Sequence, residues 1–369
     1  MSLRTTAAPP ARRALRGLVR ARTLAWRSHS RLFAVGDRGG WSVDEDGRHL
    51  EAAARRLGYR TGRAEWARFA SRQSVFLTSH FEALSSRWLE TSHRLATAYL
   101  HGRPGTADAP EFDESFEALR AHPRRFERIQ VTHAEMHELV LSAGVPADRI
   151  HRIPIGIDLE NFPLGGAAHK ASARKELELP TQAFVVGSFQ KDGVGWADGL
   201  EPKLVKGPDV LVSALRNLQP RVPGLFALLT GPARGYIRRE LESMGIPYRH
   251  VPARARRDLA RAYHALDVYI VSSRQEGGPK ALLEAMAAGT PLVSTRVGQA
   301  GEIVEHGRNG WLVDTEDAEG LAGWAARIAD GAPEGLCEAA RTTAERYALD
   351  QLDGQWATLL DGFVERVAT

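Results

Sequence analysis

The sequence predicts an α/β protein of two domains, each built on a parallel sheet with helices on both faces. Three observations carry that prediction. The chain has 369 residues, more than one hydrophobic core usually serves. Short apolar runs of strand character alternate with longer runs of helical period. The alternation halts at residues 158–169, DLENFPLGGAAH, where Pro163 and Gly165–Gly166 interrupt it, and then restarts. Strands that alternate with helices pair in parallel, because each crossover carries the chain back through a helix.

The first series opens with LFAVG (32–36), a short buried strand, then a glycine-rich loop and a helical run over 47–57. VFLTS (75–79), ATAYL (96–100) and RIQVTH (128–133) are further strands, followed by a helix over 134–143 and the strand-like RIHRIPIG (149–156). In the second series AFVVGSF (183–189), LFALLTG (225–231), VYIVSS (268–273) and TPLVST (290–295) are strands. The helices between and before them are DVLVSALRNL (209–218), IRRELESMG (237–245), DLARAYHALD (258–267) and PKALLEAMAAG (279–289). A last helical stretch runs over about 335–367. Two such series suggest two similar open sheets, whose ligands sit beyond the carboxyl ends of the strands.

Composition narrows the class. Apolar residues make up 43% and charged residues 25%, ordinary for a globular enzyme. Cys337 is the single cysteine, so no internal disulfide forms, which suits a reducing cytoplasm. There is no run of about 18 apolar residues to span a membrane, and the N-terminal region lacks a continuous apolar stretch of signal-peptide type. Residues 1–30 form an arginine-rich leader; residues 11–26 read as a cationic helix that contacts anionic lipid, or as a frayed basic leader. The net charge is only +4 and no aromatic–basic module appears, so nucleic acid is not an expected partner. His133 and His137 lack a nearby third ligand, so zinc is not expected.

The strongest motif is SSRQEGGPKALLEAMAAGTPLVST, residues 272–295. A buried strand feeds a Gly-Gly loop, and Pro279 suits the first position of the helix that follows. The N–H groups at that helix start, with the helix dipole, favour a phosphate. Gly277 and Gly278 let a ligand approach the backbone. Lys280 and Glu284 share a face of a helix otherwise made of Ala, Leu and Met, and a carboxylate there calls for a partner. A Lys280–Glu284 surface pair is the plainer reading. In residues 185–215, Lys206 precedes a helix on which Asp209 stands where a cap would fall, and the loop 192–203 with Trp196 is placed to close over a site. Trp41, Asp44, Glu45 and Asp46 meet a ligand or form a solvated loop.

Taken together these segments resemble the family 4 retaining glycosyltransferases of the GT-B fold. Glu276 and Glu284 have that family's E-x7-E spacing, and AMAAGTPLVSTRVGQAGEIVEHGRNGWLVD (285–314) is similar to it throughout. IPIGIDLENF resembles the segment before the interdomain linker, with Ile155 where Asn is usual. Gly278 and Pro279 replace an aromatic residue and a Gly or Ser, and Ser188 replaces an Arg. The resemblance implies two Rossmann-like domains facing across a cleft: residues 1–160 for the acceptor, 161–345 for the donor, and a helix over 346–369 crossing back to the first domain. It implies that Glu276 contacts the transferred sugar, that the Gly277–Lys280 backbone holds the diphosphate, and that Glu284 holds the ribose hydroxyls. It makes Lys206 the lysine that neutralises the diphosphate, with Lys191 or Lys203 as a second charge. Gly39 and Gly40 match its glycine-rich loop opposite the donor phosphates, and His101 its cleft histidine beside the sugar.

The function implied is transfer of a sugar, with retention, from a nucleoside diphosphate sugar to a hydroxyl of a glycan, a lipid-linked saccharide or a small metabolite. The donor is a co-substrate, no cofactor is implied, and lysines with the helix dipole stand in for a metal. Front-face attack, with the departing phosphate oxygen taking the acceptor proton, is the implied mechanism. A sugar-nucleotide epimerase and a silent sugar-nucleotide-binding subunit are the alternatives. The expected location is cytoplasmic, with peripheral contact at the inner face of the membrane. A dinucleotide-binding dehydrogenase is disfavoured, since no G-x-G-x-x-G follows an early strand.

Overall fold

The computed structural model describes residues 26, 28–36, 42–253 and 256–366, except for the side chains of residues 42 and 43. The helix expected over 11–26 lies outside this set apart from Trp26, whose ring stacks on Phe33 and Trp66. Contacts divide the chain into two units: Met1–Pro104 with Glu111–Ile153 and Asp353–Thr369, and Gly105–Pro110 with Pro154–Leu352.

The first unit holds five parallel strands: β1 (Leu32–Val35), β2 (Ser74–Leu77), β3 (Arg94–Ala98), β4 (Phe126–Val131) and β5 (Ile150–Arg152). The intervening helices are α1 (Ser42–Arg56), the short α2 (His80–Ala83) and α3 (Ser86–Leu89), α4 (Pro110–Ala121) and α5 (Ala134–Ser142). The strands lie side by side in chain order. Among the described residues this sheet therefore has no point where strand order reverses, and it is not the twin of the second sheet.

The second unit runs α6 (Ala167–Glu176), β6 (Phe184–Ser188), α7 (Pro208–Leu218), β7 (Leu225–Leu229), α8 (Gly235–Met244), β8 (Tyr248–His250) and α9 (Arg256–His264). It continues with β9 (Val268–Val271), α10 (Lys280–Ala288), β10 (Leu292–Thr295), α11 (Ala300–Ile303), β11 (Trp311–Val313), α12 (Ala318–Asp330) and α13 (Leu336–Arg346). Its six-stranded sheet has the order β11-β10-β9-β6-β7-β8. Order reverses between β6 and β9, and a crevice opens at the carboxyl ends of strands at such a point. Alternate residues feed two cores. Val185, Leu228, Tyr269 and Val271 join one face; Val186, Ala227, Leu229, Val268 and Ile270 join the other. Both faces are covered, which is why these strands read as unbroken apolar runs. Helix α10 is buried on nearly every side, with Leu282, Leu283, Ala285 and Met286 all inaccessible.

Two expectations need correction. The interruption at 158–169 ends inside a helix, α6, held from below by Asp267: its carboxylate accepts from Lys170, from buried Arg174 and from the Val185 N–H. The helical stretch over 335–367 is two helices, α13 and then α14 (Asp353–Leu360). Between them the Tyr347 carbonyl and Leu349 N–H bond to the backbone of Ile157, so those groups leave the helical ladder. Helix α14 packs on the first unit. Arg56 donates twice to the Asp353 carboxylate at 2.8 and 2.6 Å, and Trp356 meets Phe76 edge-on at 6.0 Å.

Candidate active site

The carboxyl ends of β6 and β9 bring together two segments that are far apart in sequence. Gly207 stands in the left-handed region at φ 59°, and a Cβ there would lie 1.9 Å from the Ser272 carbonyl oxygen, so only glycine fits. The Val205 carbonyl accepts from the N–H of both Arg274 and Gln275, at 2.9 and 3.1 Å. The Arg274 guanidinium donates to the Leu204 carbonyl, to both oxygens of Asp209 and to Glu316. These bonds fix the turn at Leu204–Lys206 against the strand end. The outcome is that Lys206 Nζ lies 2.6 Å from Glu276 Oε1, an oxygen that also accepts from Ser273 Oγ at 2.9 Å. Asp209 differs from its expected role. Gly207 caps α7 with Pro208 following, and Asp209 instead holds Arg274 in its charged form.

Lys191 belongs to the same electrostatic neighbourhood. Burial and the charge of Lys206 lower its affinity for a proton, against the pull of Asp192. Its Nζ donates to the Gly193 carbonyl at 3.1 Å and lies 4.8 Å from the Trp196 ring centroid, a cation–π arrangement. The loop 192–203 is a clamped hairpin. Val194 N–H donates to Glu201 and Lys203 N–H to Asp192, while the Asp198 and Gly199 carbonyls accept from the first N–H groups of α8. Beneath it Arg234 and Asp192 form an ion pair at 3.0 Å with both side chains fully buried. Burial pushes the Asp192 carboxyl up and the Arg234 guanidinium down, and each charge opposes the shift of the other. Arg234 also donates to the carbonyls of Ser188, Gln190 and Thr230 and to Ser188 Oγ. A guanidinium thus does reach Ser188, but from another segment and below the surface. Trp196 itself is 62% exposed, beside exposed Val194 and Leu200.

Glu284 lies one helical turn into α10 and is 5% exposed. Arg256 Nη1 donates to its Oε1 at 2.7 Å and the Tyr263 hydroxyl to its Oε2 at 2.9 Å. These are the partners that a carboxylate on such a helix requires. Pro279 sits just before the helix as its cap, and Lys280 opens it. Gly277 accepts from the Gln299 N–H at 3.3 Å. A Cβ on Gly278 would come within 2.5 Å of the Gln299 side chain, which also bonds both backbone groups of Ile155. The space beside Gly278 is thus filled by Gln299, whose amide ties the 277–279 loop to the segment entering the second unit.

The remaining expected residues lie in the first unit. Gly39, Gly40 and Trp41 lie outside the described residues. Asp44 is in the first turn of α1, close against Gly36. His101 comes after the end of β3 at Ala98, in a loop where its ring meets His80, Phe81 and Phe112 edge-on at 5.6–5.9 Å. The structure therefore brings together Lys206, Glu276 and Lys191, and sets Glu284 along α10 with its own partners. Sequence reading missed Arg274, Arg256, Tyr263 and Gln299. Arginine supplies nearly all of the 49 basic residues, so no single one stood out.

Residues 193–330 match the family described as glycosyl transferases group 1. A D-inositol 3-phosphate glycosyltransferase of Xylanimonas cellulosilytica is 35% identical over 252 residues, which are 63% of this chain and 55% of the relative. One of Saccharomonospora viridis is 32% identical over 211 residues, 54% of this chain and 46% of the relative. The chain thus spans about half the length of these curated relatives. Among solved structures, HepE of Anabaena in complex with UDP and glucose superposes with a TM-score of 0.72 at 17% identity, covering 90% of this chain and 99% of that one. WaaG, a glycosyltransferase involved in lipopolysaccharide biosynthesis, gives 0.66 at 14% identity, covering 90% and 100%. The fold is GT-B, as the sequence resemblance implied. No helix among the described residues is long and apolar enough to cross a membrane.

Proposed function

We propose that this chain, which belongs to the group 1 glycosyltransferases, transfers a sugar from a UDP-sugar to a hydroxyl acceptor with retention at the anomeric carbon. The observation that carries the reading is the meeting of Lys206 with Glu276 at the switch point of the second sheet, beside a helix start and one turn from Glu284. A diphosphate takes the Lys206 ammonium, and the sugar hydroxyls take the Glu276 carboxylate thereby released. The ribose diol donates to Glu284. The bond from the anomeric carbon to the diphosphate oxygen breaks as the bond to the acceptor oxygen forms on the same face. The acceptor proton passes to the departing phosphate oxygen. Negative charge grows on the diphosphate during that step, and the fixed ammonium groups of Lys206 and Lys191 with the first N–H groups of α10 stabilise it. These cations take the place of a metal, so turnover is expected to persist in a chelator.

The uridine base is supported by the UDP complexes of HepE, and a phosphorylated cyclitol is the first acceptor to try, given the names of the curated relatives. On the family resemblance, His101 is proposed to contact the sugar, Gly39 and Gly40 the donor phosphates, and Trp41 and Asp44 the acceptor. The test is a thermal-shift comparison of UDP-, GDP- and ADP-sugars, since a bound donor raises the unfolding temperature by mass action. NMR of the product with the shifting donor follows. The expected result is a shift with the UDP-sugar and a product that keeps the donor's anomeric configuration. An inverted product, or donor breakdown to an epimer without acceptor, overturns the reading.

A further inference from the structure

Beneath the hairpin 192–203 one fully buried side chain gathers the segment that leaves β6. Arg234 Nη1 donates to the carbonyls of Ser188, Gln190 and Thr230 at 2.7, 2.7 and 2.9 Å. Its Nη2 donates to Ser188 Oγ at 3.0 Å, and its Nε lies 3.0 Å from Asp192 Oδ1. Three of the residues it holds, Ser188, Gln190 and Asp192, flank Lys191 on both sides. The Asp192 carbonyl accepts from the Lys203 N–H at 2.7 Å, which closes the hairpin. A Cβ on Gly193 would lie 2.3 Å from the Ala233 carbonyl oxygen, so hairpin and the turn before α8 meet backbone to backbone. Gln190 joins this network to the candidate site: its carbonyl accepts from Arg234, and its side-chain amide donates to the Lys206 carbonyl at 3.0 Å. Lys191 is near enough to Lys206 to feel its charge.

We propose that Arg234, paired with Asp192, is a positioning residue for the donor diphosphate: it fixes the backbone on either side of residue 191 so that the Lys191 ammonium meets the phosphates beside that of Lys206. This rests on the reading of the second unit as a nucleoside diphosphate sugar site. Arg234 touches no ligand and acts through Lys191. A guanidinium suits the task because its donors point in several fixed directions, whereas an ammonium is a single point of charge. A buried ion pair adds little stability over apolar side chains of the same size, so the pair is explained by the geometry it specifies.

The experiment measures binding of UDP by calorimetry and of uridine by saturation-transfer NMR. The full chain is compared as wild type, Lys191→Ala, Arg234→Lys, Asp192→Asn, and Lys191→Ala combined with Arg234→Lys. The wild type is expected to favour UDP over uridine, and Lys191→Ala to lose about 10-fold of that preference, the worth of a hydrogen bond to a charged group. Arg234→Lys keeps a charge opposite Asp192 but not the fork of donors. It is expected to weaken UDP about 10-fold while uridine binds as before. Added to Lys191→Ala it is expected to cost nothing further, because the group it positions is gone. Asp192→Asn is expected to behave as Arg234→Lys does, and it stands as the independent test should that variant not fold. A variant that weakens both ligands equally has only a structural role, and one with the wild-type preference has no role; either overturns the proposal for that residue. A further loss of UDP preference in the combined variant places the action of Arg234 elsewhere and overturns it too. Lys191→Ala with the wild-type preference sinks the proposal and leaves the donor-site reading standing, whereas a wild type that binds neither ligand removes that reading itself.

Discussion

At the residue scale the candidate site of the second unit is held closed by its own charges. Lys206 and Glu276 satisfy one another at 2.6 Å, with Lys206 about one quarter and Glu276 about one eighth exposed. Such a pair keeps two polar groups from being buried alone, and it sets a threshold that a ligand must exceed by supplying an anion for one and hydroxyls for the other. On the proposed mechanism Lys206→Ala removes an ammonium that stabilises the departing diphosphate, and it is expected to lower turnover about 100-fold or more, as loss of a charge-stabilising group does. Near-normal turnover in steady-state kinetics would take Lys206 out of the mechanism. That Lys206 stands at a turn, Glu276 in a loop after a strand and Glu284 on a helix was legible in the sequence, because local pattern reveals those elements. Arg256 and Tyr263 were not. They reach Glu284 from α9, a contact 21–28 residues away that no local pattern records.

At the element scale the turn that carries Lys206 depends on a backbone conformation. Gly207 leaves the turn with φ 59° and lies against the Ser272 carbonyl, whose own side chain donates back to the Gly207 carbonyl at 2.8 Å. An alanine at this position pays the left-handed penalty and forces the two segments apart. Gly207→Ala is expected to cost about 2 kcal/mol or more of stability and to lower turnover beyond what stability explains, because Lys206 moves with the turn. Denaturant unfolding and kinetics at saturating donor together check this; a variant with unchanged midpoint and unchanged turnover refutes it. The strands and helices of the second unit were readable because each has its own period and turn residues. The hairpin 192–203 was readable only as a loop. Its shape comes from long-range bonds, the Asp198 and Gly199 carbonyls on α8 and the buried Asp192–Arg234 pair, and its sequence gives no strand signal for them. Helix α6 was missed for a related reason: its residues Ala167–Glu176 are polar and small, and it is fixed by Asp267 rather than by an apolar stripe.

At the scale of the whole molecule the chain returns to its first unit after completing the second. Residues Asp353 onward belong to the unit that begins the chain. The chain passes from the first unit to the second between Ile153 and Pro154, ahead of the break read at 158–169; the return was implied by family resemblance and not by composition. Trp356, Leu359, Leu360, Phe363 and Val364 are all buried. Arg94 donates to the carbonyls of Gly362 and Phe363, and Arg128 to that of Leu359, so the segment is bonded along its length as well as packed. Burial of five such side chains contributes roughly 10 kcal/mol before entropy is set against it, comparable to the net stability of a domain. A chain ended after Leu352 should therefore lose the cooperative unfolding of the first unit. The second unit keeps its own two cores, Lys206, Glu276 and Glu284 without any residue from that segment. Scanning calorimetry of the shortened chain should show the first unit melting far below its temperature in the full chain, while UDP still raises the remaining transition. If the shortened chain melts as one transition at the full-chain temperature, the C-terminal segment is not a structural part of the first unit.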